Sequence, residues 1–310
     1  MTKPILAGYD PQALDYAPVE FGVTVAKLTR APLVVASVEG ARAVPAHERD
    51  PDLLDDCTAA LEHVEPDLRA IGVPFDCIKL ESTSAARALH EEAEKQDAGL
   101  LAVGSSRRSG AGRVLAGSTA HRLLHGAPCP VAVVPRSWVA GPLRSIGVAY
   151  ADSDDGREAL RGAHALARRA GAKLRVITVV KHRESFHLET DPPVAGQLGD
   201  KREVVDIEGE HRLDAERGLL KVVEALGDDV AVEAEALVGD PAEVIVDFSD
   251  GVDLLVCGSR GYGPARGVLL GSVSLRVMEQ ACCPVIVLPR GVEAALEDLL
   301  AEAPGAATPA

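Results

Sequence analysis

The feature that most constrains the fold of this chain is an internal repeat. The segment GSSRRSGAGRVLAGSTAHRLLHGAPCPVAVVPR begins at Gly104, and GSRGYGPARGVLLGSVSLRVMEQACCPVIVLPR begins at Gly258, 154 positions later. The same offset pairs Gly117 with Gly271, Ser118 with Ser272, Cys129 with Cys283, Pro130 with Pro284 and Pro135 with Pro289. The starts of the two copies, PILAGYD and SIGVAYAD, are also alike. The 310 residues therefore predict two copies of one domain.

Each copy alternates short apolar runs with amphipathic segments. In the second copy, Ser145–Tyr150, Leu254–Cys257 and Val285–Leu288 are apolar runs bounded by polar residues, which predicts buried strands. Asp154–Ala170 instead shows helical spacing of its apolar residues. Such strands alternating with helices indicate a parallel sheet that is covered on both faces, and right-handed crossovers then give a doubly wound α/β fold. Sheets of this kind bind ligands beyond the carboxyl ends of their strands.

The repeat also sets the expected domain boundaries. We place domain 1 at residues 1–138, a linker at 139–142, domain 2 at 143–295 and an Ala/Pro-rich tail at 296–310. The linker contains Gly141 and Pro142, which interrupt regular secondary structure. The composition of the chain end, AEAPGAATPA, predicts a disordered tail.

Charge and composition narrow the classes of partner. A net charge of −15 disfavours general affinity for nucleic acid or anionic lipid. No apolar run reaches the ~18 residues of a membrane span, and the first ten residues lack the regions of a signal peptide, so we expect a cytoplasmic protein. The six cysteines form no CxxC pair, and we expect them to be buried apolar side chains. Redox activity at adjacent Cys282 and Cys283 is the alternative.

The segment after the fourth strand of each copy combines glycine with basic residues. Gly258 and Gly261 allow a turn and close backbone approach, and Gly271 and Ser272 stand where a helix is expected to begin. Ser272 is a suitable N-cap, and free N–H groups at a helix start suit an anion. Neither loop contains an acid, whereas both contain arginines, namely Arg260, Arg266, Arg107, Arg108 and Arg113. We interpret the loops as phosphate sites, with simple glycine turns as the alternative.

The spacing Gly258-x2-Gly261-x9-Gly271-Ser272 resembles the nucleotide-binding motif of the universal stress protein family, and the following CPVIVLP is similar to the last strand of that family. The resemblance covers nearly the whole chain, twice. It implies an open five-stranded parallel sheet of order 3-2-1-4-5 in each domain, with ATP or a related adenine nucleotide as ligand, alone or with magnesium. It also implies that domains pair through their last strands, within one chain, and that two chains pair again as a homodimer.

In the second copy, the resemblance assigns the phosphate and ribose loop to Gly258, Arg260, Gly261, Gly271 and Ser272. Val179, at the end of the second strand, matches the position whose backbone meets the adenine. The family has an aspartate at the end of the first strand, but Ala151 aligns with it here and Asp152 follows one residue later. Asp152 is therefore the candidate to reach the ribose.

The first copy of the sequence departs from the family pattern at a different position. Asp10 matches the family's aspartate, and Val38 is the expected neighbour of the adenine. The loop matches at Gly104, Gly117 and Ser118, but Arg107 replaces its second glycine. A side chain at this position strains the turn, or it replaces a backbone contact to phosphate with a charged one.

Three classes of function remain open at this level. The first is a nucleotide-responsive stress or regulatory protein, and the second is an interaction scaffold that keeps the fold without the ligand, which Ala151 and Arg107 favour. The third is a weak ATPase, although the sequence shows no Walker-B-like acid, H-R-D motif or Ser-His-Asp arrangement, and we assign no catalytic residue. His121 and His125 are four positions apart on a predicted helix, but two ligands without a third do not make a usual metal site, and we assign none.

Overall fold

The computed structural model describes residues 2–11, 15–40, 57–105, 118–136, 138–181, 207–259, 271–289 and 295–300. Within these residues strands and helices alternate in both halves of the chain. The elements of the first half are β1 (Ile5–Gly8), α1 (Ala17–Thr29), β2 (Leu33–Glu39), α2 (Cys57–Ile71), β3 (Phe75–Glu81), α3 (Ala85–Lys95), β4 (Leu100–Gly104), α4 (Ser118–Leu123) and β5 (Val131–Val134). Those of the second half are β6 (Ser145–Ala149), α5 (Asp154–Ala170), β7 (Lys173–Val180), α6 (Ile207–Glu224), β8 (Val232–Val238), α7 (Pro241–Ser249), β9 (Leu254–Gly258), α8 (Ser272–Gln280), β10 (Val285–Leu288) and α9 (Ala295–Leu300).

The strands of both halves form one continuous sheet. Its order is β3-β2-β1-β4-β5-β10-β9-β6-β7-β8, and all neighbours within a half are parallel. Each half thus runs in the order 3-2-1-4-5, and the expected doubly wound α/β fold is confirmed. The order reverses between β1 and β4 in the first half and between β6 and β9 in the second. These two places are where such sheets bind ligands.

Aliphatic side chains cover the sheet on both faces. Along β4, Leu100 and Ala102 face one layer whereas Leu101 and Val103 face the other, because side chains alternate along a strand. The first layer holds α1, α2, α5, α6 and α9, and the second holds α3, α4, α7 and α8. Aromatic residues make up only 3% of the chain, so Val, Leu, Ile and Ala supply most of the buried surface. None of the described helices combines the length and the hydropathy of a membrane span.

The two halves join where β5 and β10 pair antiparallel. The register pairs three buried positions of each strand, Val131 with Val287, Ala132 with Ile286, and Val133 with Val285. Ala132 and Ile286 are equivalent positions of the repeat, so this central residue faces its own counterpart. The pairing therefore has a local two-fold axis through the Ala132–Ile286 pair, as in a symmetric dimer.

Helix α9 changes the C-terminal boundary that we expected. Residues 296–300 were placed in the tail, yet Leu296 and Leu299 are buried against the layer that contains α1 and α5. A Cβ atom on Gly162 of α5 would lie 2.8 Å from Cδ1 of Leu296, and one on Gly99 would lie 2.8 Å from Cδ1 of Leu299. The short helix thus fills space beside a glycine of each half. The remaining tail, residues 301–310, lies outside the described residues.

The cysteines divide by burial. Cys57, Cys129, Cys257 and Cys283 are buried, as expected, and burial raises the pKa of Cys257 to about 12. Burial likewise raises the pKa of Cys129 and Cys283, so these three thiols stay protonated at neutral pH and act as small core side chains. Two cysteines differ from the expectation, because Cys77 is only half-buried and Cys282 is exposed.

Shortening Ile286 tests the contribution of the β5–β10 pairing to stability. Ile286 is fully buried at the centre of the pairing, so Ile286→Ala should lower the free energy of unfolding by about 2–5 kcal/mol. Denaturant unfolding followed by circular dichroism measures this change. Val139→Ala is the control, since the Val139 side chain is exposed and its loss should leave stability unchanged. If both substitutions changed the free energy of unfolding equally little, the β5–β10 pairing would not be needed for the stability of the two halves.

Candidate functional site

In the second half, the strand order reverses between β6 and β9, and at this place α5 packs closely on Gly258, the last residue of β9. A Cβ atom on Gly258 would lie 2.9 Å from the carbonyl oxygen of Asp155 and 2.9 Å from its Cβ atom. Glycine is therefore required here because the first turn of α5 rests directly on the end of the strand. This close approach fixes the position of α5 relative to β9.

Hydrogen bonds of two serines extend this contact to the start of α8. The Ser259 hydroxyl donates to Oδ2 of Asp155 at 3.0 Å, and the Gly271 N–H donates to the Ser259 carbonyl at 2.7 Å. The buried Ser274 hydroxyl donates to the Gly258 carbonyl at 2.9 Å. The start of α5, the end of β9 and the start of α8 are thus held together by short polar contacts. Sequence reasoning missed Asp155, Ser259 and Ser274, because each looks like an ordinary polar residue of a loop or helix.

The start of α8 differs from the sequence expectation in one respect. Gly271, not Ser272, is the N-cap residue, with φ −75° and ψ 149°, and Ser272 is the first helical residue. The backbone turns one residue earlier than expected because the Gly271 N–H is bound to Ser259. In the part of the chain that the structure describes, no side chain caps this helix. Its first N–H groups therefore keep the capacity to bind an anion.

The other candidates of the second half lie along the same edge of the sheet. Val179 is buried near the end of β7 and packs in the layer that contains α7 and α8. Asp152 is exposed, and its carboxylate accepts hydrogen bonds from Arg157 and, at 3.4 Å, from the Tyr150 hydroxyl. The structure thus brings Gly258, Gly271 and Ser272 together and holds the Asp152 carboxylate on Arg157. Arg260 and Gly261 lie outside the described residues.

The first half places its candidates at the corresponding edge. Asp10 follows β1, Val38 is half-buried in β2, Gly104 ends β4, and the α4 backbone begins at Ser118. The Arg136 N–H donates to the Ser105 hydroxyl at 3.2 Å and so ties the end of β5 to the end of β4. Arg107 and Gly117 lie outside the described residues.

A buried carboxylate, that of Asp15, lies at this first-half edge and was not expected. Asp15 is only 7% exposed, and its Oδ2 atom would be 3.0 Å from a Cβ atom on Gly104. Its Oδ1 atom accepts a hydrogen bond from the Ala17 N–H at 3.2 Å. Burial raises the pKa of Asp15, and nearby Asp10 and Glu20 raise it further, whereas the Ala17 hydrogen bond and Arg136 lower it. The sequence did not predict this role for Asp15, because an acid just before a helix is typical of a capping residue and the sequence does not show that the side chain is buried.

The two halves are built differently at equivalent places. Tyr9 and Tyr150 correspond, since their N–H groups donate at 2.8 Å to Ala36 and Ile177 of the second strand of each half. Counted from these tyrosines, α5 begins about one turn earlier than α1, and Gly156 stands where the first half has Asp15. In the second half the backbone and Cβ atom of Asp155 therefore pack on Gly258 while its carboxylate binds Ser259, whereas in the first half the Asp15 carboxylate itself packs on Gly104.

Comparison with known proteins agrees with the fold and the repeat. The model of the universal stress protein family matches residues 1–135 and again 142–289. A universal stress protein of Mycobacterium tuberculosis is 30% identical over 220 residues, which cover 66% of this chain and 69% of that protein. One from Mycolicibacterium smegmatis is 29% identical over 299 residues, 92% of this chain and 96% of the relative. The chain therefore belongs to the universal stress protein family, as a tandem of two such domains.

Solved structures show the same fold over both halves. A universal stress protein from Archaeoglobus fulgidus superimposes with a TM-score of 0.62 at 20% identity, covering 94% of this chain and all of that one. A Pseudomonas aeruginosa structure gives a TM-score of 0.67 at 19% identity, covering 97% of this chain and 98% of its own. At 19% and 20% identity, these two structures show that the fold is shared and nothing more.

Removing the Ser274 hydroxyl tests the contacts at the end of β9. Ser274→Ala leaves the buried Gly258 carbonyl without this donor, so the free energy of unfolding should fall by about 1–2 kcal/mol. Thermal unfolding measures the change. Thr24→Ala is the control, because the exposed Thr24 hydroxyl makes a similar bond to the Glu20 carbonyl within one helix. A loss no larger than that of the control would contradict the tie between α8 and β9.

Neutralising Asp15 tests the cost of its burial. Because burial raises the folded-state pKa of Asp15, the folded protein binds that proton more tightly, and stability falls as the pH rises from about 3.9 through the folded-state pKa. Asp15→Asn removes this loss and should raise the melting temperature at neutral pH by a few degrees. The melting temperatures of both proteins, measured as a function of pH, should converge in acid. A variant that is less stable than the parent at pH 7 would show that the carboxylate stabilises the fold.

Proposed function

We propose that this protein is an ATP-binding regulatory protein of stress responses, with the nucleotide held at the carboxyl edge of the second half. One observation carries the proposal most: no side chain of the described ranges caps the start of α8, which lies directly beside the close contact of Gly258 with α5. Family membership and the Gly258-x2-Gly261-x9-Gly271-Ser272 spacing support the same site.

Phosphate is the part of ATP that fits the start of α8. The helix dipole adds about half a positive charge at this end, and the first N–H groups point toward an incoming anion. Backbone groups supply such contacts without a charged side chain. The sequence of the connecting loop adds Arg260 and Arg266 and no acid, so this loop is basic within a strongly acidic chain.

Adenine and ribose then extend toward β7 and the start of α5. Val179 provides backbone groups at the end of β7, and the buried layer around it offers an apolar surface to the base. Asp152, which Arg157 and Tyr150 orient, is the acceptor for the ribose hydroxyls. Magnesium accompanies the phosphates as a counter-ion in this proposal.

Binding, rather than turnover, is the proposed activity. We assign no catalytic residue. We propose instead that binding of ATP changes how domains or chains pair, because Ser274 near the start of α8 is hydrogen-bonded to β9, a strand of the sheet that joins the halves. The proposal includes a cytoplasmic location and a homodimer of tandem chains. In the first half, Asp10, Val38, Gly104, Arg107, Gly117 and Ser118 form the corresponding candidate site.

Calorimetric titration of nucleotide-stripped protein with Mg-ATP tests the proposal. We expect a dissociation constant on the order of micromolar, and Gly271→Leu should weaken it about tenfold or more because the side chain covers the start of α8. The φ of Gly271 is open to any residue, so the variant should fold. Gly218→Leu is the control, since a Cβ atom there meets open space.

The alternatives give different results in the same samples. No heat and no thermal stabilisation at millimolar ATP would contradict the proposal and favour an interaction scaffold of the same fold. Steady phosphate release that depends on magnesium and is lost in Gly271→Leu would favour a weak ATPase.

A further inference from the structure

A series of polar contacts joins the end of β7 to α8 through the start of α7. The Gly239 N–H donates to the Val180 carbonyl at 3.0 Å, so α7 begins directly beside the last residue of β7. Oδ1 of Asp240 caps α7 by accepting from two N–H groups of its first turn, at 3.0 and 3.1 Å. The same atom accepts from Nη1 of Arg276 in α8 at 3.1 Å. One carboxylate thus holds both the start of α7 and a side chain of α8.

Arg276 supplies the α8 side of this contact. It is the fifth residue of α8, and long helical side chains point back toward the helix N-terminus, so its guanidinium lies along the first turn. Its Nη2 atom is also 3.5 Å from the carboxylate of Glu243, a second acid of α7. The guanidinium is therefore held by two acids of the neighbouring helix.

The elements joined in this way are the two ends of the proposed nucleotide site. The end of β7 carries Val179, the proposed neighbour of the adenine, and the start of α8 is the proposed phosphate site. The contact of Arg276 with Asp240 therefore lies between the parts of the protein that would hold the two ends of one ATP molecule.

We propose that Arg276 is a positioning residue, whose ion pair with Asp240 holds α7 and α8 at the separation that lets one nucleotide reach both ends of the site. The ligand class that benefits is a base joined to a phosphate chain, rather than either part alone. This inference rests on the proposed function, because it concerns the affinity of that same site.

The exposure of the ion pair explains why its effect falls on binding rather than on stability. The side chains of Arg276 and Asp240 are 43% and 46% exposed, and exposed ion pairs add little to the stability of a fold. A ligand that contacts two helices at once nevertheless binds in proportion to the fraction of molecules in which the helices are correctly placed. A ligand that contacts one helix does not depend on that fraction.

Calorimetric titration of the full, nucleotide-stripped chain with three ligands tests the inference. The ligands are Mg-ATP, adenosine and inorganic tripolyphosphate. Arg276→Gln should weaken ATP binding about three- to fivefold at the site that Gly271→Leu removes, which is the range that an exposed ion pair can supply. The affinities for adenosine and tripolyphosphate should stay unchanged, because each contacts one end of the site.

Asp240→Ser separates positioning from a simple effect of charge. Through charge alone, loss of the arginine would weaken phosphate binding and loss of the aspartate would strengthen it. Loss of the ion pair instead predicts that both substitutions weaken ATP binding by the same factor, and that the double variant weakens it no further. Serine still caps the helix, as Ser84 caps α3 in the first half.

Arg212→Gln is the matched control. The Arg212 guanidinium lies 3.1 Å from the Glu216 carboxylate and is similarly exposed, but this ion pair lies within α6 and joins no two elements. It should leave all three affinities unchanged. Tighter ATP binding in Asp240→Ser, additive losses in the double variant, or weaker tripolyphosphate binding in Arg276→Gln would overturn the inference and leave the proposed function standing. No ATP binding in the parent protein would overturn both.

Discussion

The antiparallel pairing of β5 with β10 is the contact on which the rest of the structure depends. Without it, each half would end in a short, apolar and unpaired edge strand, which proteins avoid exposing. With it, two parallel five-stranded sheets become one sheet, and the helical layers on both faces continue from one half to the other. The stability of either half is therefore shared with its neighbour.

This pairing also decides where the two candidate sites lie. Parallel strands place their carboxyl ends on one edge, and the antiparallel junction reverses that edge between the halves. The sites consequently lie on opposite edges of the sheet, each at its own switch point. Communication between them would run through shared packing, such as the Arg169 side chain that donates to the Leu28 carbonyl at 2.7 Å and the burial of α9 beside both halves.

Chain duplication with later divergence explains the different local chemistry of the two sites. Both halves have the same backbone hydrogen bond after the fourth strand. The N–H groups of Ser105 and Ser259 each donate to a carbonyl of the last strand of their own half at 2.9 Å. The side chains around them have changed. Ser274 ties α8 to β9 in the second half, whereas Ala120 occupies the equivalent position in the first. The same backbone arrangement thus carries different side chains at the two candidate sites.

The sequence predicted the elements whose signals are local and strong. The strand over Val285–Leu288 has the bounds that we expected, and α8 begins within one residue of its expected start, because both segments combine clear periodicity with flanking turn residues. It did not predict α9, since six residues next to an Ala/Pro-rich end carry little helical signal and their burial depends on Gly99 and Gly162. The roles of Asp15 and Ser274 were also missed, because burial of a polar side chain arises only when distant elements meet.

Amide hydrogen exchange in the presence and absence of ATP tests the central claim most directly, namely that the start of α8 in the second half holds the phosphates. The account predicts slower exchange for amides of Ser272–Leu275 and for Ser259 at saturating ATP, with β3 at the distant sheet edge unchanged as an internal reference. Unaltered exchange at the start of α8, or slowing confined to other parts of the chain, would contradict it.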